Sequence, residues 1–158
     1  MITDAESYRL KKKYGAALRR IITENTPSKR FIGYLGLSTR AFRAVITAQL
    51  KPQFTLSNYG RIWALDHIVP VFLFDQKNPD DLAICWNYIN IMPMPLLLNR
   101  LKGVSLEFAL RELALRKTWP ASHAVAPLKQ RLVDFVESLH SHHSTATPEA
   151  LQRALNLG

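Results

Sequence analysis

Cysteine is nearly absent: the 158 residues hold one, Cys85. A lone thiol forms no intramolecular disulfide and no cysteine-rich zinc site. Within "LAICWNYI" it reads as a small buried hydrophobe. Long apolar runs are missing as well. "VPVFLF" and "PLLLN" fall far short of the roughly 20 residues that span a bilayer. The first residues, Met-Ile-Thr-Asp-Ala-Glu, are polar and acidic, whereas a signal peptide has a basic start and an apolar stretch. A soluble, cytoplasmic protein with no membrane partner is expected. Acidic residues are scarce too: 12 Asp and Glu stand against 21 Lys and Arg, a formal charge of +9 and a pI of about 10.0. Such an excess points to a polyanionic partner, nucleic acid first and an anionic membrane surface second. The charge is uneven. Residues 1–50 hold ten basic and three acidic side chains, a net +7, and the remaining +2 is spread over the rest. The run Lys11, Lys12 and Lys13 is the densest part; solvated surface is its bland reading.

What is present suits one folded domain. The apolar fraction is 47%, ordinary for a globular chain. Residues 4–24 read as a helix, with Tyr8, Leu18, Ile21 and Ile22 on an apolar side and "TPSK" as its break. Ser38 caps a second helix, whose apolar positions Phe42, Val45, Ile46 and Leu50 follow helical spacing, with Gln49 the polar exception; Pro52 closes it. "NYG" at 58–60 is turn chemistry. "RIWALDHIV" reads as a strand ended by Pro70 and the loop "FDQKNPDD". "LAICWNYINIM" reads as a short helix running into a second strand at about Tyr88 to Met92. Pro93 and Pro95 are expected to end that strand and to start the helix "LLLNRLKG", terminated by Gly103. Ser105 begins a further helix with Leu106, Ala109, Leu110, Leu113 and Ala114 on one side, "PLKQRLVDFVESLH" resembles it, and Thr147 with Pro148 starts a last one. The fold class is α+β, with strands confined to the centre and mostly helical flanks. The expected divisions are a basic helical segment 1–57, a core 58–103 and a helical segment 104–158, folding together.

The residues with chemistry sit in that centre. Asp66 and His67 interrupt the apolar run "WALDHIVP", and a charge beside a titratable ring is costly to bury without partners. Asn90 follows on the expected second strand, Asn99 nine residues later and Lys102 twelve residues later on the helix. Each has a plain structural reading: a hydrogen-bonded Asp-His pair, a turn or cap for Asn90, a helix end for Asn99, surface charge for Lys102. Trp63, Trp86 and Tyr88 read as core around a small sheet. "HSHH" at 140–143 fits no standard metal spacing and reads as a solvated helix end.

Taken together, Asp66-His67-Ile68-Val69-Pro70 with Asn90, Asn99 and Lys102 resembles the HNH, or ββα-metal, endonucleases. The segment "YLGLSTRAFRAVITAQLKPQFTLSNYGRIWALDHIVP" is similar to phage-type members. The resemblance covers about Gly33 to Gly103, and the Asn90, Asn99 and Lys102 spacing also resembles the HNH domain of CRISPR effector nucleases. Two departures stand out. The last residue of the family's name is Asn99, whose amide oxygen still suits a hard cation. Pro95 and Leu98 occupy offsets where many members carry zinc-binding cysteines, so no structural zinc is expected. The longer gap from His67 to Asn90 implies an inserted loop or helical turn at 73–87.

The resemblance implies a metal-dependent DNA endonuclease that nicks or cuts duplexes, leaving 5′-phosphate and 3′-hydroxyl ends. It implies His67 as general base, with Asp66 and Asn99 as oxygen ligands to one divalent cation, Mg²⁺ first and Mn²⁺ as the alternative. Asn90 is then catalytic support, fixing the backbone that aims His67. Lys102, Arg100, Arg61, Lys11, Lys12 and Lys13 are the expected nucleic-acid contacts. Neighbouring strand residues face opposite sides, so Asp66 and His67 can share a site only if the strand ends or twists there, as Val69-Pro70 suggests. The implied setting is a phage or mobile element in a host cytoplasm, with a homodimer or a DNA-packaging partner as the assemblies to consider. The alternative function is a basic nucleic-acid-binding or adaptor protein that keeps an HNH fold without turnover.

Overall fold

The computed structural model describes residues 5–26, 29–102 and 105–142, without the side chains of residues 100–102, 140 and 142. Gly103, Thr147, Pro148 and most of the "HSHH" side chains therefore lie outside what can be described. Helix α1 (Ala5–Glu24) buries Tyr14, Ala17, Leu18, Ile21 and Ile22. Its inner stripe differs from expectation at the start, where Tyr8 is 52% exposed and Tyr14 takes the core position. A short α2 (Lys29–Leu35) buries Phe31 and Leu35, an element that the sequence reading left out. Gly36 ends it at φ 77°, a left-handed backbone that favours glycine. Helix α3 (Thr39–Gln49) starts where expected: the Ser38 hydroxyl accepts from the Ala41 N–H at 3.2 Å. Gln49, the polar member of its inner face, has a task there. Its Oε1 accepts from the buried Arg116 guanidinium at 3.3 Å.

The sheet has two antiparallel strands, β1 (Trp63–His67) and β2 (Ile91–Pro95), paired Trp63 to Pro95 and His67 to Ile91. This overturns the expectation that Pro93 and Pro95 end the strand, since both lie inside it. Register explains why they are tolerated. Ile68 N–H donates to Asn90 O at 2.8 Å, and Leu96 N–H donates to Ile62 O at 3.0 Å. Even-numbered residues therefore carry the cross-strand bonds. Pro93 and Pro95 fall on the alternate positions, facing the free edge of a two-stranded sheet, where no donor is required.

The connection from β1 to β2 holds a 3-10 turn (Val71–Leu73) and helix α4 (Pro79–Cys85), the insertion expected at 73–87. Helix α4 starts earlier than read. Asn78 caps it, accepting from the Asp80 and Asp81 N–H groups, with Pro79 in the first turn. Asn90 closes a 3-10 turn (Tyr88–Asn90) leading into β2, whereas the sequence reading placed it on the strand itself. Helix α5 (Leu96–Lys102) follows β2 directly and lies against both strands, which completes a small ββα core within an α+β fold. Helices α6 (Leu106–Leu115) and α7 (Val125–His142) pack on each other, and α7 also lies against α4 and the Val71–Leu73 turn. Ser105 caps α6 through the Phe108 N–H, and Ala109 and Leu113 face inward while Ala114 is exposed.

One hydrophobic cluster runs from Tyr14 on α1 through Trp63, Trp86 and Tyr88 to Leu132 on α7. The three aromatics are core, as expected. Trp63 stacks on Phe54 at 5.8 Å and donates its indole N–H to Thr55 O at 2.7 Å. Tyr88 stacks on Trp119 and accepts from the Ala121 N–H at 3.1 Å. Cys85 is fully buried, and burial pushes its thiol up to about 12. No helix among the described residues is long and apolar enough to cross a membrane.

Candidate active site

Strand β1 ends at His67, and Ile68 and Val69 bend away from it. Asp66 and His67 are both paired strand residues, opposite Met92 and Ile91. Asp66 and His67 line the same cavity, together with Leu65, Pro70 and Val71. Helix α5 brings Asn99 to that cavity, and α1 brings Lys11, Gly15 and Leu18. The cavity has a volume of ≈ 450 Å³. The carboxylate, the imidazole, the carboxamide and one lysine of the sequence reading thus meet in one place.

The bend is held by Asn90, which is completely buried. Its Oδ1 accepts from the Val69 N–H at 2.7 Å, and its Nδ2 donates to Val69 O at 3.1 Å and to Cys85 O at 2.9 Å. One amide thus ties the backbone two residues past His67 to the end of α4. Both donor hydrogens of the amide are used, and its oxygen accepts one bond. The His67 ring is also braced from the side. Trp86 meets it edge-on, with centroids 4.5 Å apart and planes at 87°. The Trp86 indole N–H in turn donates to Gln76 Oε1 at 2.9 Å. His67 is 9% exposed and its Nε2 is buried.

Two cavity residues were not read as functional. Tyr59 lines the cavity and packs edge-on against Trp63 at 5.0 Å. Burial raises its phenol above the usual tyrosine value, partly opposed by a Leu65 backbone hydrogen bond and by Arg19, so it stands protonated at neutral pH. Phe72 is exposed at the mouth. "NYG" signals only a turn, realised by Gly60 at φ 79°, and nothing in that tripeptide aims Tyr59 at a site. The remaining expected contacts are more scattered. Lys12 lies over the Tyr8 ring at 5.4 Å. Lys13 and Arg61 are exposed, and Arg61 donates to Ser57 O at 3.4 Å. Neither these two nor Lys12 lines the cavity. Arg100 and Lys102 lie on α5, with side chains outside the described set.

Among the described residues, no three His, Cys, Asp or Glu side chains cluster at metal-binding geometry. The donor set at the cavity is leaner: one carboxylate and one amide oxygen. It suits Mg²⁺, which binds through one or two protein oxygens and keeps several waters. Soft or nitrogen-rich metal chemistry has no comparable set there.

The chain matches no protein-family model and no solved structure. It is similar to an uncharacterized protein of Acanthamoeba polyphaga mimivirus, 28% identical over 97 residues. That stretch is 61% of this chain and 43% of the viral protein, so the chain matches less than half the relative's length.

Proposed function

We propose that this protein is a metal-dependent endonuclease that hydrolyses DNA phosphodiester bonds at the Asp66–His67–Asn99 cavity. The observation that carries the reading is the convergence on one cavity of residues from β1 and α5, beside a bend fixed by Asn90. The charge of +9 suits a duplex DNA partner. The viral relative is in keeping with a viral or mobile-element setting.

In this reading His67 takes a proton from a water entering through the cavity. The oxygen of that water attacks phosphorus, the bond from phosphorus to the 3′ oxygen breaks, the leaving 3′ oxygen takes a proton from solvent water, and the products are a 5′-phosphate and a 3′-hydroxyl. Asp66 and the Asn99 amide oxygen would hold one Mg²⁺. Bound there, the ion would neutralise phosphate charge and stabilise the leaving oxygen. Lys11 holds a non-bridging phosphate oxygen from the α1 side, Asn90 and Trp86 keep the imidazole aimed, and Tyr59 offers a neutral hydroxyl to the phosphate. The test is conversion of supercoiled plasmid to nicked or linear forms in Mg²⁺ or Mn²⁺. Cleavage should vanish with chelator and be mostly lost with His67→Ala. An intact plasmid in both metals sinks the reading in favour of a DNA-binding protein without turnover.

A further inference from the structure

A second cavity, of ≈ 780 Å³, adjoins the first and shares Lys11, Val71 and Phe72 with it. Its chemistry is different. Tyr8 of α1, Phe72 of the 3-10 turn and Phe135 of α7 supply aromatic surface. Tyr8 is 52% exposed and Phe72 41% exposed, and Phe72 meets Phe135 edge-on at 5.7 Å. Asp75 and Asp134, both exposed, are among its lining residues, while Asp81 deeper in is committed to Arg131 at 2.6 Å. Lys11, Lys77 and Arg131 line the space as well, and their charge balances that of the carboxylates. Carboxylates accept hydrogen bonds from the exocyclic amino groups of cytosine, adenine and guanine. Aromatic faces stack on bases of any sequence. A volume of this size is within the range of small-molecule pockets.

We propose that this second cavity is a nucleobase subsite, which takes one unstacked, amino-bearing base next to the phosphate held in the first cavity. The proposal rests on the nuclease reading for its placement. The chain itself supplies the continuity: four residues separate His67 from Phe72, and Lys11 lines both spaces. The strand runs with its phosphates past Lys11 and one base turned in against Phe72 and Phe135.

The test measures binding of single-stranded oligonucleotides to the wild-type protein in chelator, where no cleavage is needed. An abasic site is walked along the strand. One position should show a weakening of roughly 5- to 140-fold, the loss of one base–aromatic stack, with the other positions nearly unaffected. At that position thymine should bind more weakly than the three amino-bearing bases. Phe135→Ala, or Phe135→Leu where the alanine variant folds poorly, should weaken the intact strand and erase the abasic penalty. An even penalty along the strand overturns the subsite, as does thymine binding as tightly as the others. Plasmid cleavage is scored separately. Cleavage without a positional penalty leaves the nuclease and removes the subsite, while a positional penalty without cleavage does the reverse.

Discussion

Asp66 and His67 are neighbours in the chain with opposite expected signatures when altered. If His67 is the proton acceptor of the proposed nuclease, His67→Ala should lower cleavage about 10²–10⁴-fold while metal and DNA affinity stay close to wild type. If Asp66 is the charged ligand, the activity lost in Asp66→Ala should return partly at high Mg²⁺ or Mn²⁺. Asn99→Ala should be a milder form of the same defect. Titrating metal against cleavage rate, beside calorimetric metal titrations, separates them; metal binding lost in His67→Ala and kept in Asp66→Ala reverses the two roles. Asn90→Ala acts on the frame. It strips partners from Val69 N, Val69 O and Cys85 O, all bonded to one buried amide. Each group left unpaired in the interior costs about 1–3 kcal/mol, so thermal unfolding should show a large loss of stability besides slower cleavage. Cys85 gives a pH signature. Burial holds its thiol protonated up to about 12, above its value in an unfolded chain. Its contribution to stability is therefore complete below about pH 8.5 and is lost as pH rises toward 12, by at most about 1.4 kcal/mol per unit. Denaturant titrations at rising pH should show this slope in wild type and a shallower one in Cys85→Ala. At this scale the sequence was informative because the site residues are of chemically distinctive types at fixed offsets. Tyr59 and Gln76 were not legible, because their roles depend on which wall of a cavity they face.

At the scale of elements, local signals were reliable where a side chain bonds its own backbone. Ser38 caps the helix as expected, and Ser105 caps the helix that it is expected to begin. "NPDD" carries the same kind of signal, with Asn as cap and Pro in the first turn, and it was read as loop because its composition is that of a turn. Asn78→Ala should lower stability by about 1 kcal/mol, measured by denaturant unfolding. An unchanged midpoint would mean that the Pro79 turn fixes the helix start without the cap. The prolines of β2 were misread for a different reason. Proline excludes a strand only where its nitrogen faces a partner, and that depends on register and on whether the edge is free, neither of which a single sequence displays. Helix α2 shows no period in the sequence because seven residues make fewer than two turns; it is held by Phe31 and Leu35 against the core.

At the scale of the whole molecule, the basic excess of residues 1–50 was plain in the sequence, yet its distribution in space was not. Three consecutive lysines on a helix point in three directions about 100° apart. Lys11 turns into both cavities, Lys12 lies over Tyr8, and Lys13 is exposed away from either. The run is therefore not a single patch, and the three side chains should separate by measurement. Each lysine that neutralises a duplex phosphate contributes about 0.9 to the slope of log affinity against log salt. Replacing all three with glutamine should flatten the slope by up to about 2.7, and single replacements should show which lysines touch the backbone. Lys11→Gln should also slow cleavage at saturating DNA, since Lys11 borders Asp66 and His67 in the same cavity, whereas Lys12→Gln and Lys13→Gln should act on affinity alone. A triple variant with an unchanged salt slope would make the run ordinary solvated charge. A Lys11→Gln variant with unchanged rate at saturation would leave that lysine a binding residue and remove it from the phosphate at the point of cleavage.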